Sequence, residues 1–498
     1  MFTEADKEIE YVRGVIATRF PVYETRVTPQ AVQFLVTVDL ATMEAKFEDL
    51  RKELVPKNYI PMLTREGGEH TILVQRRPPQ RFLGSQVNLL LFILTIGTTM
   101  WAGAVYWSGY NNVDWLSLEA WAMGSLTFTL PLLAILGIHE MGHYIVAKRY
   151  HVQASLPFFL PAPGTLLGTF GAMISMRDPM PNRKALLDIG ASGPVLGLLT
   201  AIPVTLLGFF LMSADPRPIP VNTGGGFAID IPLLYRILAA FMPIPQNTLL
   251  HPTAFAGWVG LFVTALNLLP AGQLDGGHVA RAVLGERGKY ASWAFLGFMF
   301  FLGIFYFGWF IIAIFILLLG ARHPPPLNDL SRLDGKRYLL AGGAAAVLLL
   351  SFVAIPLVPI APVSGVQFEM TSAPGTAVSS INATVVNHTS QSYALLIRNV
   401  GNVRTNVSLT LEGLSNLQNA NLNISFGIIS IGNTSANGTA TAPWFYLDSN
   451  ETATVNVLLD ARGYTFPPAL WSFTLKAHVL GEGVAAADQI LSFNLRVS

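Results

Sequence analysis

Long apolar stretches, each close to the length that crosses a bilayer, constrain the fold of this chain more than any other feature of its sequence. A membrane-spanning helix needs roughly 20 mainly apolar residues. Only 12% of the residues are charged, whereas soluble domains carry about 25%. The sequence therefore predicts a polytopic α-helical membrane protein. The stretches lie at 89–107, 120–146, 185–212, 254–274, 338–361 and, long enough for one tilted helix or two short ones, 290–320.

Lysine and arginine residues between these stretches indicate how often the chain crosses the membrane. Short cytosolic loops are enriched in both residues. All the basic clusters lie on one side only if 290–320 crosses twice, as two short helices folded about 303–308. We therefore expect about seven spans in the cell membrane, with the C-terminus outside. The clusters comprise Arg76, Arg77, Arg81, Lys148, Arg149, Arg177, Arg183, Lys184, Arg281, Arg287, Lys289, Arg322, Arg332, Lys336 and Arg337.

Polar regions flank the apolar part of the chain on both sides. Residues 1–85 begin with a charged stretch that lacks the apolar segment of a signal peptide, so we expect them in the cytosol. Their spacing predicts a small α+β domain without a catalytic role. Its helix and strands are expected at 41–54, 32–39, 59–64 and 71–75.

The C-terminal region 363–498 is rich in Thr, Ser, Asn and Val, arranged in short alternating segments. This pattern predicts an extracytoplasmic β-sandwich, and it leaves 86–362 as the transmembrane domain. Seven Asn-x-Ser/Thr sequons make glycans possible here, because such sites act as acceptors on the exported face. Asparagine-rich sequence also produces some sequons by chance. They begin at Asn382, Asn387, Asn406, Asn423, Asn433, Asn437 and Asn450.

The second apolar stretch contains the motif HExxH, formed by His139, Glu140 and His143. Residues four apart lie on the same helix face, so the two imidazoles can share one cation. Glu140 lies beside them and can take a proton from water. Charged and imidazole groups in hydrocarbon are costly unless they face a partner or water. A polar cluster that only packs helices together is the alternative interpretation.

A third metal ligand is expected elsewhere in the chain, because catalytic zinc usually has three protein ligands. The chain has no cysteine, so histidine and carboxylate must supply them. Asp275 ends an apolar stretch that Pro270 and Gly272 interrupt, which is typical of a helix broken beside a cavity; its alternative role is a helix cap. Asn267 is expected to hold a substrate strand or to satisfy the backbone freed by the break. His278 is expected beside the site rather than as a fourth ligand.

HExxH on one span and Asn-x-x-Pro-x-x-x-x-Asp-Gly on another resemble the site-2 protease family of intramembrane metalloproteases. The stretch Gly-Pro-Val-Leu-Gly at 193–197 looks like the Gly-Pro motif of that family. His-Pro-Pro-Pro-Leu-Asn-Asp at 323–329, like the N-terminal domain, is similar to the branch with the chloroplast enzymes tied to ethylene-dependent gravitropism. The resemblance covers about 1–340, whereas the seventh span and the outer domain depart from the family pattern. It implies His139, His143 and Asp275 as zinc ligands and Glu140 as the catalytic base.

Two further strands are predicted directly after the HExxH helix, on its cytosolic side. They cover 152–160 and 167–177, around the turn Pro-Ala-Pro-Gly. The resemblance implies that 152–177 forms a hairpin that dips toward the active site. An exposed strand edge can bind an extended peptide by adding it to the sheet; a re-entrant loop with a purely structural role is the alternative.

These features predict an intramembrane zinc metalloprotease with about one zinc ion per chain. Its substrates would be membrane proteins, cut in or near their transmembrane segments, and its surroundings are the lipid bilayer. A transporter or channel would explain the buried charges but not the glutamate between two histidines, and a membrane chaperone or receptor would not need Glu140. With a net charge of +1 there is no basic field for nucleic acid.

Overall fold

The computed structural model describes most of the chain and divides it into two compact units. One unit comprises Met1–Pro218 and Asp230–Pro356, and the other comprises Ile219–Ile229 and Leu357–Ser498. Arg81, Arg322 and Asn433, which were named above, lie outside the described residues. The described residues are 4–28, 31–77, 84–217, 227–242, 244, 248–320, 323–359, 363–431, 434–435, 437–439, 442–464, 466–481, 484 and 486–498.

The first unit begins with a four-stranded antiparallel sheet of order β1-β2-β4-β3 and two helices. The apolar face of α2, with Phe47 and Leu50, is buried with Phe34 and Ile72 of the sheet, as the 3.6-residue period requires. The expected helix and strands correspond to α2, β2, β3 and β4, whereas the pattern did not predict α1 and β1. The elements are α1 (Glu4–Ala17), β1 (Val22–Val27), β2 (Val32–Val36), α2 (Met43–Leu54), β3 (Tyr59–Glu66) and β4 (Glu69–Arg76).

Helices make up most of the remainder of the first unit. A π-helical turn, Ser125–Thr129, joins α4 to α5 within one long helical stretch. The short strands β5 and β6 pair antiparallel between α5 and α6. The elements are α3 (Ser85–Asn111), α4 (Leu118–Gly124), α5 (Leu130–Arg149), β5 (Phe158–Pro161), β6 (Thr169–Met173), α6 (Arg183–Ala214), α7 (Leu233–Phe241), α8 (Pro252–Asn267), α9 (Asp275–Leu284), α10 (Gly288–Gly303), α11 (Gly308–Leu319) and α12 (Gly335–Ser351).

Among the described residues, three helical stretches are long and apolar enough to cross a membrane: Gln86–Asn111, Leu118–Arg149 and Arg183–Ala214. These support the prediction of a helical membrane protein. The other predicted spans contain shorter helices, of which α8 has 16 residues and α12 has 17. Residues 290–320 form two helices, α10 and α11, which share one apolar core. The count of seven spans and their orientation stay predictions.

The second unit is rich in β-strands, which confirms the predicted β character of the C-terminal region. Two six-stranded sheets have the orders β10-β9-β12-β18-β14-β15 and β11-β20-β19-β13-β17-β16. Alternate residues of both sheets, such as Val455 and Phe493, are buried in one core. The elements are β7 (Phe227–Ile229), β8 (Leu357–Pro359), β9 (Val366–Met370), β10 (Ala373–Ala377), β11 (Ser380–Val385), β12 (Ser390–Asn399), β13 (Thr405–Glu412), α13 (Ser415–Asn419), β14 (Asn423–Ile431), β15 (Thr434–Ser435), β16 (Asn437–Thr439), β17 (Ala442–Leu447), β18 (Thr452–Asp460), β19 (Ala469–Gly481) and β20 (Ala487–Val497).

Candidate metal centre

The two histidines of the HExxH motif lie side by side on one face of α5. Their rings are 5.0 Å apart between centroids, and their Nε2 atoms are 3.3 Å apart. His139, Glu140 and His143 are buried, with 4%, 6% and 5% of their surfaces exposed. The helical spacing thus brings the imidazoles together as the sequence predicts.

Glycines of α6 leave the space that these two rings occupy. A Cβ atom on Gly193 would lie 2.0 Å from Nε2 of His143, and one on Gly197 would lie 2.8 Å from Nδ1 of His139. Even alanine is therefore too large at Gly193, since real Cβ contacts are longer than 3.0 Å. The Gly-Pro-Val-Leu-Gly stretch, noted in the sequence only for its resemblance, allows α6 to approach the histidines.

Asp275 reaches the histidines from the first turn of α9. Its Oδ2 atom lies 3.2 Å from Nε2 of both His139 and His143. The predicted break is present: α8 ends at Asn267, and the chain turns before α9 through Gly272, which has a φ of +54°. A side chain on Gly276 would meet the carbonyl oxygen of Leu268 at 2.0 Å, so this turn needs glycine.

The three donor atoms form a nearly equilateral triangle with edges of 3.2, 3.2 and 3.3 Å. A tetrahedral zinc ion with bonds of about 2.0–2.1 Å holds its ligand atoms roughly 3.3 Å apart. Nδ1 of His143 donates a hydrogen bond to the carbonyl oxygen of Ile189 at 2.7 Å. Because Nδ1 carries the proton, the lone pair of Nε2 is free to bind a metal ion. The same hydrogen bond would hold the His143 ring in the orientation for metal binding. Two lone pairs and a carboxylate repel one another at this range unless a cation lies among them, so these residues fit a zinc ion.

Glu140 lies beside this triangle rather than at one of its corners. Donor atoms of His139, Glu140 and His143 all lie within 4.8 Å of one another, which also makes them a candidate metal-binding group. However, Oε1 of Glu140 is 4.0 Å from Nε2 of His139, farther than Asp275. We therefore take Asp275 as the third member of the donor set. The Glu140 carboxylate instead accepts a hydrogen bond from the backbone of Ile174, directly after β6.

The hairpin that contains β5 and β6 lies against both α3 and α5. The hydroxyl group of Thr98 in α3 donates to the carbonyl oxygen of Gly168 at 2.6 Å. Phe159 of β5 lies 3.8 Å from the position of a Cβ atom on Gly137 of α5, one turn before Glu140. The predicted strands are therefore present in shorter form, and they lie next to the site.

Asn267 and His278 occupy different positions around the donor triangle. Nδ2 of Asn267 lies 3.2 Å from Nε2 of His139, at the end of α8. Nδ1 of His278 donates a hydrogen bond to the carbonyl oxygen of Leu274 at 2.9 Å. The His278 ring contacts the His323 ring, with centroids 4.3 Å apart. Asn267 thus borders the site directly, whereas His278 is not one of the three donors of the triangle.

The segment 323–329 holds α9 in place, a role that sequence reasoning missed. Arg281 of α9 pairs with Asp329 at 2.7 Å. The backbone N–H of Leu327 donates to Met180 at 2.8 Å, and its carbonyl oxygen accepts from Leu63 of β3 at 2.7 Å. The segment therefore joins α9 to the start of α6 and to the N-terminal sheet. The signal was visible only as opposite charges at 281 and 329.

Comparison with known proteins shows what the part of the chain around this site is similar to. Residues 127–307 match peptidase family M50. Probable zinc metalloprotease EGY1, chloroplastic, from Arabidopsis thaliana is 29% identical over 299 residues, which cover 54% of this chain and 53% of that protein. The EGY1 protein of Oryza sativa subsp. japonica is 31% identical over 231 residues, 42% of this chain and 39% of that protein.

Probable zinc metalloprotease EGY3, chloroplastic, from Oryza sativa subsp. indica is 27% identical over 340 residues, which cover 63% of this chain and 54% of that protein. The chain thus spans about half the length, or less, of these relatives. The matched segment 127–307 contains the HExxH motif, Asn267 and Asp275. Residues 127–307 are therefore similar to peptidase family M50, and the predicted resemblance to the site-2 proteases and their chloroplast branch is confirmed.

Proposed function

We propose that this protein is an intramembrane zinc metalloprotease that hydrolyses peptide bonds in or near the transmembrane segments of other membrane proteins. The observation that carries the proposal is the triangle of His139, His143 and Asp275 with the Glu140 carboxylate beside it. The M50 match and the names of the zinc metalloprotease relatives support it. An ion path or a chaperone does not require this arrangement.

In the proposed site, His139, His143 and Asp275 would hold one zinc ion per chain. When bound, zinc supplies Lewis-acid chemistry, which polarises a peptide carbonyl group and makes water a better nucleophile at neutral pH. The glycines of α6 and the contact of His143 with Ile189 hold the ligands in position before substrate arrives.

Glu140 is the general base of the proposed mechanism. Its carboxylate takes a proton from the attacking water and then delivers that proton to the amine that leaves. The hydrogen bond from the backbone of Ile174 orients this carboxylate. Asn267 can donate from its amide group to a substrate bound beside His139, since Nδ2 lies at the edge of the site.

The hairpin 152–177 is the proposed binding site for an unwound substrate segment. Within the described residues β6 pairs only with β5, so its second edge has no partner strand. An extended peptide can join such an edge through backbone hydrogen bonds. Because Ile174 follows β6 and contacts Glu140, a peptide bound along β6 would run past the general base.

The proposed topology has seven spans, a cytosolic region 1–85 and an extracytoplasmic region 363–498. Basic loops and the pairing of α10 with α11 support this arrangement. We propose the cell membrane as its location and glycans at some of the sequons. The relatives named above are chloroplastic proteins, so fractionation of the cells that express this chain is the direct test of location.

The variant Glu140→Gln distinguishes the proposed protease from an ion-path protein and from a chaperone. The amide keeps the size of the side chain but cannot act as a base, so cleavage of a single-span substrate in vesicles should fall at least about 100-fold. Zinc content should stay near one per chain, because Glu140 is outside the donor triangle. Glu286→Gln is the matched control, since Glu286 is exposed and lies outside the site.

Cleavage by Glu140→Gln at the rate of the unmodified protein would exclude the proposed mechanism. An ion-path protein would instead lose conductance irrespective of zinc. A chaperone would keep its function in the variant, and neither rival would cut the substrate.

A further inference from the structure

An apolar groove of about 420 Å³ lies where α12 crosses α6 and α8. Its walls include Pro194 and Val195 of α6, Leu268, and the residues Leu340, Gly343 and Val347, which share one face of α12. Lys336, one turn before Leu340, is the only charged residue that lines it among the residues described. The groove is therefore an apolar channel with a cation at one end.

A second groove of about 410 Å³ adjoins the first, because both are lined by Val195 and Leu340. The second groove is more polar, since Arg149, Asp188 and Ser192 also line it. The two together form one path that changes from apolar to polar along its length.

The acidic groups at the polar end already have cationic partners. Arg337 pairs with Asp188 at 2.6 Å and with Asp334 at 2.5 Å. By contrast, Arg149 and Lys336 are exposed, and neither forms an ion pair with a carboxylate in the parts of the chain that the structure describes. Two unpaired positive charges therefore line the path: Arg149 lies at its polar end, and Lys336 lies one turn of α12 before Leu340, which both grooves share.

The N-terminal region contacts the protein at the polar end of the path. Arg51 donates to the carbonyl oxygen of Tyr150 at 3.2 Å, and Lys184 pairs with Glu44 at 2.5 Å. In the proposed topology it is the cytosolic side, where basic pockets between transmembrane helices bind anionic lipid headgroups. The charge and the position of the pocket both match a lipid phosphate.

We propose that this path binds one anionic phospholipid, with its phosphate at Arg149 and Lys336 and one acyl chain along α12. A substrate helix fits less well, because a helix of about 10 Å diameter would fill the whole volume of the apolar groove with roughly one turn. A hydrocarbon chain is much thinner and can follow the whole face of α12. The bound chain would lie behind the walls of the metal centre, since Pro194 follows Gly193 and Leu268 follows Asn267.

The experiment is native mass spectrometry of the purified full-length chain after incubation with lipid in detergent. The probes are dioleoyl phosphatidylglycerol, dioleoyl phosphatidylcholine and water-soluble glycerol phosphate. Gly343→Leu should fill part of the groove, because Gly343 lines it and an added Cβ atom there meets nothing within 4 Å. Gly342→Leu is the matched control, because Gly342 is equally open and does not line the groove.

We expect one phosphatidylglycerol molecule to stay bound at concentrations where phosphatidylcholine and glycerol phosphate dissociate. Gly343→Leu should abolish this binding and Gly342→Leu should keep it. Arg149→Gln and Lys336→Gln should each weaken it about fivefold, the effect of roughly 1 kcal/mol per charge, whereas Lys289→Gln should not. Equal retention of the two lipids, retention by Gly343→Leu, or binding of glycerol phosphate alone would overturn the proposal.

Discussion

At the scale of single residues, Gly193 is the position where the site depends most directly on the absence of a side chain. A Cβ atom there would lie 2.0 Å from Nε2 of His143. Gly193→Ala should therefore displace the ring and lower zinc affinity about 10- to 100-fold, as the loss of a ligand-orienting contact does. Gly97→Ala, on an open face of α3, is the control and should leave zinc content unchanged. The zinc content of both variants is measured after dialysis against increasing concentrations of a chelator. If Gly193→Ala retains as much zinc as Gly97→Ala, the His143 ring does not need the space at Gly193.

The variant Asp275→Ala tests whether the donor triangle binds zinc. Asp275→Ala removes the one carboxylate that lies 3.2 Å from both imidazoles. The variant should bind zinc weakly or in a wrong geometry and should lose cleavage, because two imidazoles alone do not complete a catalytic site. X-ray absorption at the zinc edge reports the ligand set, and size-exclusion chromatography checks that the protein folds. Full zinc occupancy with full activity would rule out Asp275 as a ligand.

Some members of this site could be predicted from the sequence more directly than others. His139 and His143 meet because helix geometry is local, so their spacing is sufficient evidence. Asp275 is 132 residues from His143, and only the interrupted apolar stretch pointed to it. The backbone groups of Ile189 and Ile174 could not be predicted, because every residue carries the same amide and carbonyl. Their partners become visible only once the helices and the hairpin are placed.

At the scale of elements, the ion pair between Arg281 and Asp329 connects the helix that carries Asp275 to the segment 323–329. The two side chains are only 9% and 17% exposed. Asp329→Asn should leave Arg281 buried without a counterion and destabilise the protein by about 3 kcal/mol, at the low end for a broken buried pair. The double variant Arg281→Met with Asp329→Leu removes both charges and should be more stable than the single variant. Thermal unfolding in detergent measures both, and a single variant as stable as the unmodified protein would contradict the role of the pair.

Element types were more predictable than element lengths. Apolar length located the helical stretches, and Gly303 and Gly308 marked the turn between α10 and α11. The π-helical turn Ser125–Thr129 was not predicted. It makes a contact that no local pattern encodes, because the hydroxyl group of the distant Thr253 donates to the carbonyl oxygen of Thr127 at 2.7 Å. The strands β5 and β6 are shorter than their apolar stretches because only part of each stretch pairs.

At the scale of the whole molecule, local patterns distinguish helical from β-rich regions but do not determine which strands pair. Burial alternates along β18 from Thr452 to Asp460, as expected of the short alternating segments in this region. Its neighbours β12 and β14 lie far away in the sequence, so the sheet order depends on contacts that local periodicity does not encode. Helix α1 was missed for a related reason, because its charged residues obscure the short apolar face with Val12 and Ile16.

The membrane topology can be tested sharply because the chain contains no cysteine, so each introduced cysteine is the only thiol. We expect an impermeant maleimide to label Glu412→Cys in intact cells and to label Arg26→Cys only after permeabilisation. Phe305→Cys, in the exposed turn between α10 and α11, decides the span count. With two crossings the turn faces outside, and it should be labelled in intact cells at a rate similar to that of Glu412→Cys. The cysteine-free chain is the blank. Protection of Phe305→Cys together with Glu412→Cys would mean that α10 and α11 do not cross separately and that the C-terminal region lies on the same side as the N-terminus.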